Sequence, residues 1–238
     1  MARRLLVEVE GQTEEQLVNE ILAPHLFERG YEVVGARLVG NQRLRARRGG
    51  IRNWDSVSRD ILQHLREDTG RIVTTMVDYY ALPASGRAPW PGRAQAALLM
   101  SASSLARAAY VEEALASDIN SRMDPDFNPR RFVPFVVMHE FEGLLFSNCR
   151  ALPVLIGDTE LEPKLTAIRN MFPTPEDIND SPQTAPSKRL EALVPNYEKP
   201  LYGVETFREI GLQTVRAECP HFHQWLVQLE ELGFATHW

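Results

Sequence analysis

The feature that most restricts how this chain can fold is an alternation of short β-type runs with longer stretches of helical spacing. Residues 4–9 form a Leu/Val run that stops at Glu10-Gly11 and gives way to helical periodicity over residues 13–29. Thr13 and Gln16 have the spacing of a capping box, which places the helix start there. Residues 31–39 read as a second strand, and residues 54–66 repeat apolar side chains at helical spacing through Val57, Ile61, Leu62 and Leu65. A third strand over 71–77 ends at Asp78. Beyond a Pro/Gly-rich loop at 83–92, an Ala-rich helical stretch reaches residue 119, and a fourth strand over 132–138 ends at His139-Glu140. Strands that alternate with helices need crossover connections, so the expected fold class is α/β, with a mainly parallel sheet flanked by helices.

From about residue 151 the pattern changes. Prolines at 153, 163, 173, 175, 182, 186, 195, 200 and 220 separate short helical pieces such as 187–193 and 224–232. The expected organisation is an α/β domain over 1–150 and a mostly helical C-terminal region over 151–238 packed on it. With 238 residues, 44% of them hydrophobic, the chain can bury a full core. It holds no apolar run of membrane-spanning length, and its first residues read as a strand rather than a signal peptide, so the expected location is cytoplasmic. The two cysteines, Cys149 and Cys219, are too few for a disulfide framework and lack zinc-ligand spacing.

In parallel sheets, sites form at the carboxyl ends of strands. Three of the four expected strands end in an acid: Glu10, Asp78 and Glu140. Carboxylates at neighbouring strand ends suit magnesium or manganese, which prefer hard oxygen ligands. The net charge of −6 argues against a general electrostatic binder of nucleic acid, but it averages over a local basic excess. Arg37, Arg43, Arg45, Arg47, Arg48 and Arg52 follow one another with no acid among them, in a Gly-containing stretch suited to steering a phosphate backbone or to contacting an acidic partner.

Three segments together, Val9-Glu10-Gly11-Gln12-Thr13-Glu14, Val77-Asp78-Tyr79-Tyr80 and His139-Glu140-Phe141-Glu142, resemble the Toprim fold. The likeness is closest to the OLD (overcoming lysogenization defect) nucleases and to a related bacterial family that shares the first and last of these segments. It covers roughly the first 150 residues and continues weakly at Pro186-Ser187-Lys188-Arg189-Leu190 and Tyr197-Glu198-Lys199. The resemblance implies that Glu10 and Glu14 act as metal ligands or acid/base groups, that Asp78 is a ligand, and that Glu140 or Glu142 closes the set. Lys188 or Lys199 would neutralise charge on the scissile phosphate. The implied cofactor is Mg2+ or Mn2+, the implied substrate DNA or RNA, and the setting prokaryotic defence or DNA processing. Any ATPase partner would be a separate chain, because no phosphate-loop motif is present. One departure matters: where the family commonly has Asp-x-Asp, this chain has Asp78-Tyr79-Tyr80, so one expected ligand is absent.

Each candidate also has an ordinary reading. Glu14 and Glu15 suit the first turn of a helix, Asp78 suits a turn, and Glu10 suits a solvated loop. Glu140 and Glu142 share a face only in extended chain, so only one is expected to reach a metal. His139 reads first as a structural residue, and His221 and His223 as packing or surface residues. Tyr79, Tyr80 and Trp90 suit either packing or stacking on bases. Glu8 falls in a strand buried on both faces, which calls for an arginine partner or an edge position. The expected function is a metal-dependent nuclease; the alternative is a non-catalytic interaction subunit of an ATPase or nucleic-acid complex.

Overall fold

A computed structural model describes residues 3–39, 53–99, 102–179, 181 and 183–235. Arg43, Arg45, Arg47 and Arg48 lie outside the described residues.

The sheet is parallel throughout, as the alternation requires. Its strands are β1 (Arg4–Val9), β2 (Val33–Leu38), β3 (Arg71–Asp78), β4 (Phe132–Val133) and β5 (Val136–Val137), in the order β2-β1-β3-β4 with β5 also on β3. Val9 pairs with Leu38 on one side and with Met76 on the other. Asp78 pairs with Val137. The carboxyl ends of β1, β3 and β5 are therefore neighbours, and this brings the three strand-end acids together.

The fourth strand departs from the expected single run over 132–138. Pro134 has no N–H to give to a ladder, and the strand splits around Pro134-Phe135 into β4 and β5. The Thr75 hydroxyl fills the gap: its Oγ1 donates to the Phe135 carbonyl and accepts from the Phe135 N–H, both at 2.9 Å.

After β1 the chain forms α1 (Gln12–Leu17), a π turn (Val18–Leu22) and α2 (Ala23–Phe27). The widened turn precedes Pro24, which cannot donate the helical hydrogen bond. The expected capping box is not formed. The N-cap is Gly11, without a side-chain cap, and Thr13 lies inside α1 and is buried. Helix α3 (Trp54–Glu67) is capped by Asn53, whose side chain accepts from the Ser56 N–H. The Ala-rich stretch forms two helices, α4 (Arg93–Leu98) and α5 (Ser104–Ser121).

The C-terminal region is helical: α6 (Phe141–Leu144), α7 (Ala151–Ile156), α8 (Leu161–Arg169), α9 (Pro186–Leu193), α10 (Lys199–Ile210), α11 (Leu212–Glu218) and α12 (Pro220–Phe234). Helices cover both sheet faces. Leu5, Val7 and Val9 pack with α1, α2 and the C-terminal helices in one cluster that runs on to Leu232. On the other face, Val73 and Val77 pack with α3 and α5 around Trp54 and Trp90. Among the described residues, no helix is long and apolar enough to cross a membrane.

Glu8 sits on β1, an interior strand, so the edge-strand reading fails. Its side chain is 1% exposed, opposite Arg37 on β2, with the His64 Nε2 at 3.7 Å. Burial pushes its pKa up to about 7, with Arg37 opposing the rise.

Candidate functional site: a lysine-centred carboxylate cluster

Glu10 follows β1, Glu14 lies in the first turn of α1, Asp78 ends β3, Glu140 is the N-cap of α6, and Glu142 lies in its first turn. All converge at the carboxyl end of the sheet. The Asp78 backbone N–H donates to Glu10 Oε2 at 3.3 Å, and Asp78 Oδ1 accepts from the Phe141 N–H at 2.9 Å. Glu140 Oε2 accepts from the Ser187 N–H at 3.0 Å, which ties α9 to the same place. Glu14, Asp78, Glu140 and Glu142 are all buried.

The cation among them is Lys199. Its Nζ stands 3.2 Å from Glu14 Oε1, 3.3 Å from Asp78 Oδ2 and 3.2 Å from Glu142 Oε2. About a third of its side-chain surface is exposed, so its stem borders solvent while the ammonium faces the carboxylates. Lys199 opens α10, and Gly203, one turn on, seats that helix. A Cβ at Gly203 would come within 3.0 Å of both Phe141 and Thr13, so its absence lets α10 lie against α1 and α6. Gly11 does similar service for Glu14, whose Oε2 lies 2.9 Å from where a Cβ would stand.

Burial dominates the electrostatics. It pushes Glu10 up to about 7 against the pull of Lys199, with Glu14 adding to the rise. It holds Asp78 well above the usual carboxylate range and raises Glu142. Burial disfavours the charge on Lys199, but Asp78, Glu142, Glu14 and Glu10 outweigh it and keep the ammonium protonated well past its ordinary value. One ammonium is thus shared by more carboxylates than it can neutralise.

Among the described residues, no group of three or more His, Cys, Asp or Glu side chains is arranged as it would be around a metal ion. The point shared by Glu14, Asp78 and Glu142 is filled by the Lys199 ammonium, onto which their oxygens are drawn. The donor chemistry nevertheless fits a hard divalent cation. All donors are carboxylate oxygens, and Glu142 carries a buried Oε1 with no hydrogen-bond partner.

Among the described residues, the remaining sequence candidates make no ion pair or hydrogen bond with the carboxylates or with Lys199. Lys188 is half exposed and bonded to Glu191, 2.5 Å away. Tyr80 is 46% exposed, whereas Tyr79 and Trp90 are buried in the core. His139 is buried beside Tyr79, its Nε2 3.5 Å from Ser104 Oγ. His221 is a buried packing residue with its Nε2 2.9 Å from Glu112; it is not on the surface. Of Glu140 and Glu142, only Glu142 touches Lys199; Glu140, still extended as the N-cap before the helix begins, sits at the edge of the cluster with its carboxylate on the Ser187 N–H. Two residues that sequence reasoning missed, Arg93 and Arg107, flank Tyr79. Isolated arginines in an Ala-rich stretch give no signal of their own.

No curated protein and no solved structure matches the chain. A family model does, over residues 9–230, from the last residue of β1 into α12 and so across every element that builds the cluster. The chain belongs to the family described as a domain of unknown function, DUF4276.

Proposed function

We propose that this chain is a nuclease that hydrolyses phosphodiester bonds of DNA or RNA with the help of Mg2+ or Mn2+ held by Glu10, Glu14, Asp78, Glu140 and Glu142. The observation that carries this reading is the convergence of five acidic side chains from three adjacent strand ends, most of them buried and short of positive charge. Burying that many carboxylates costs several kcal/mol (roughly 1–3 per unsatisfied group), a cost a fold retains where function demands it. A bound divalent ion would supply Lewis acidity and an activated water. The protein's share is positional. The Phe141 N–H fixes Asp78 and the Ser187 N–H fixes Glu140, so both carboxylates are aimed before any ligand arrives. In the metal-free protein burial raises Glu10's affinity for a proton, so near neutral pH Glu10 would take an ion in exchange for that proton. Lys199 balances part of the acids' charge and would face a phosphate once an ion took its place among them. The Toprim-like motifs support the same reading, and with it a separate ATPase partner; the absence of a membrane-length apolar run in the sequence goes with the cytoplasmic setting proposed for it.

A second reading, a non-catalytic interaction subunit, is favoured by two observations. Tyr80 stands where a second aspartate is expected, and Lys199 already fills the centre of the cluster. Incubating the protein with labelled single- and double-stranded DNA and RNA, with Mg2+, Mn2+ or chelator, separates the two. The nuclease reading expects metal-dependent cleavage that Glu10→Ala and Asp78→Ala each abolish. No cleavage, or cleavage indifferent to both substitutions, moves the assignment to the interaction subunit.

A further inference from the structure

We propose that Arg93 and Arg107 form an anion subsite beside the carboxylate cluster, one that takes a phosphate group. Resting on the nuclease reading above, the phosphate is that of a nucleic-acid strand. Both guanidiniums gather on one ring: the Arg93 Cζ lies 3.9 Å and the Arg107 Cζ 5.9 Å from the centroid of Tyr79. Tyr79 follows Asp78 in the chain, and Ser104, at the head of the helix that carries Arg107, meets His139, the residue before Glu140, which puts the pair at the same edge of the sheet as the cluster.

Arg4, Arg71, Arg122, Arg169, Arg208 and Arg216 each reach an aspartate or glutamate. Among the described residues, neither Arg93 nor Arg107 has a carboxylate within ion-pair distance. Arg66, Arg131 and Arg189 also lack a carboxylate but give their guanidiniums to carbonyl oxygens, whereas in this pair one buried guanidinium nitrogen is left over. Arg93 gives Tyr79 two of its five donors, one from Nε to the carbonyl at 3.1 Å and one from Nη1 to the phenol oxygen at 3.2 Å. Arg107 has a buried Nε with no hydrogen-bond partner, a costly arrangement unless something completes it.

Arg107 also lies one turn into the 18-residue helix α5, whose first turn holds no acid. The positive end of a helix dipole disfavours a cation there and favours an anion. Two guanidiniums and a helix terminus therefore raise one patch of positive potential next to a cluster that would repel a phosphodiester. The His139 imidazole, edge-on to Tyr79 at 5.8 Å, borders the same place. Such a patch draws an anionic strand towards carboxylates that alone would turn it away.

The test is binding of fluorescein-labelled single- and double-stranded oligonucleotides by the full-length protein, followed by anisotropy over a series of salt concentrations with Ca2+ present. Arg107 is the residue to change, because Arg93 also holds the Tyr79 backbone. Arg107→Gln is expected to weaken binding about ten-fold and to lower the salt slope by about one, the signature of one lost phosphate contact. Arg107→Lys should keep most of the slope and lose only a few-fold, since it retains the charge without the planar fork. That variant carries the test should Arg107→Gln lower the melting temperature. Unchanged affinity and slope in a folded Arg107→Gln protein would overturn the subsite. Calorimetry with inorganic phosphate and pyrophosphate separates it from the nuclease reading. Arg107-dependent phosphate binding without oligonucleotide binding supports the subsite and sinks the nuclease, and binding of neither overturns both.

Discussion

Glu8 and Lys199 show how far single residues could be read. Period-two alternation marked Glu8 as a buried acid, and the structure gives it Arg37 across the strand pair and His64 nearby, outside the carboxylate cluster. Its folded pKa, about 7, lies above the unfolded value of 4.5. A raised carboxylate opposes folding as pH climbs: below about 4.5 it is protonated in both states and costs nothing, whereas above about 7 the folded state must bury the charge. Glu8→Gln, which mimics the protonated form, is therefore expected to match the parent protein near pH 4 and to be more stable by about 2–3 kcal/mol at pH 8 in urea titrations. An equal or lower stability at pH 8 would mean that the pairing with Arg37 outweighs the desolvation. Lys199 was legible only as one of two lysines in a weak resemblance. Nothing in local spacing says that a residue 121 positions beyond Asp78 will meet it, because that contact is set by the packing of α10.

At the scale of elements, strand and helix order was legible because hydrophobic period and punctuation are local signals. The first three strands and the helices between them fall where that pattern puts them. The failures are equally physical. Pro134 broke a strand that apolar content alone had drawn as continuous, and the Thr13 side chain went into the packing under Gly203 instead of capping its helix. The repair at the broken strand is testable. Thr75→Val keeps the shape and removes the hydroxyl that serves both the Phe135 N–H and its carbonyl. Stability should fall by about 2–4 kcal/mol, as for two buried backbone groups left unpaired. A loss below about 0.5 kcal/mol would show that the ladder finds another partner. The same local blindness hid the anion subsite, since the nearness of α5 to Tyr79 is a property of how helix meets sheet.

In the whole molecule, the cluster is assembled from both ends of the chain. Glu10 and Glu14 come from the first elements, Asp78 from the central strand and Lys199 from a helix past residue 198, and one hydrophobic cluster joins Leu5 to Leu232. This continuity predicts a single unfolding transition. Far-UV circular dichroism should coincide with tryptophan fluorescence, which samples Trp54 and Trp90 on one face and Trp225 on the other. Two separated midpoints would mean that the C-terminal helices fold apart from the sheet. The strand-end acids were legible because parallel topology alone places consecutive strand ends on one edge; the cation between them was not. The divalent ion proposed at this edge can be looked for directly, in an anomalous difference map from crystals of the protein grown with Mn2+. A peak is expected among Glu10, Glu14, Asp78, Glu140 and Glu142, with the Lys199 ammonium moved off the point it now fills. Lys199 still in place, with no peak among those acids, would contradict the proposal.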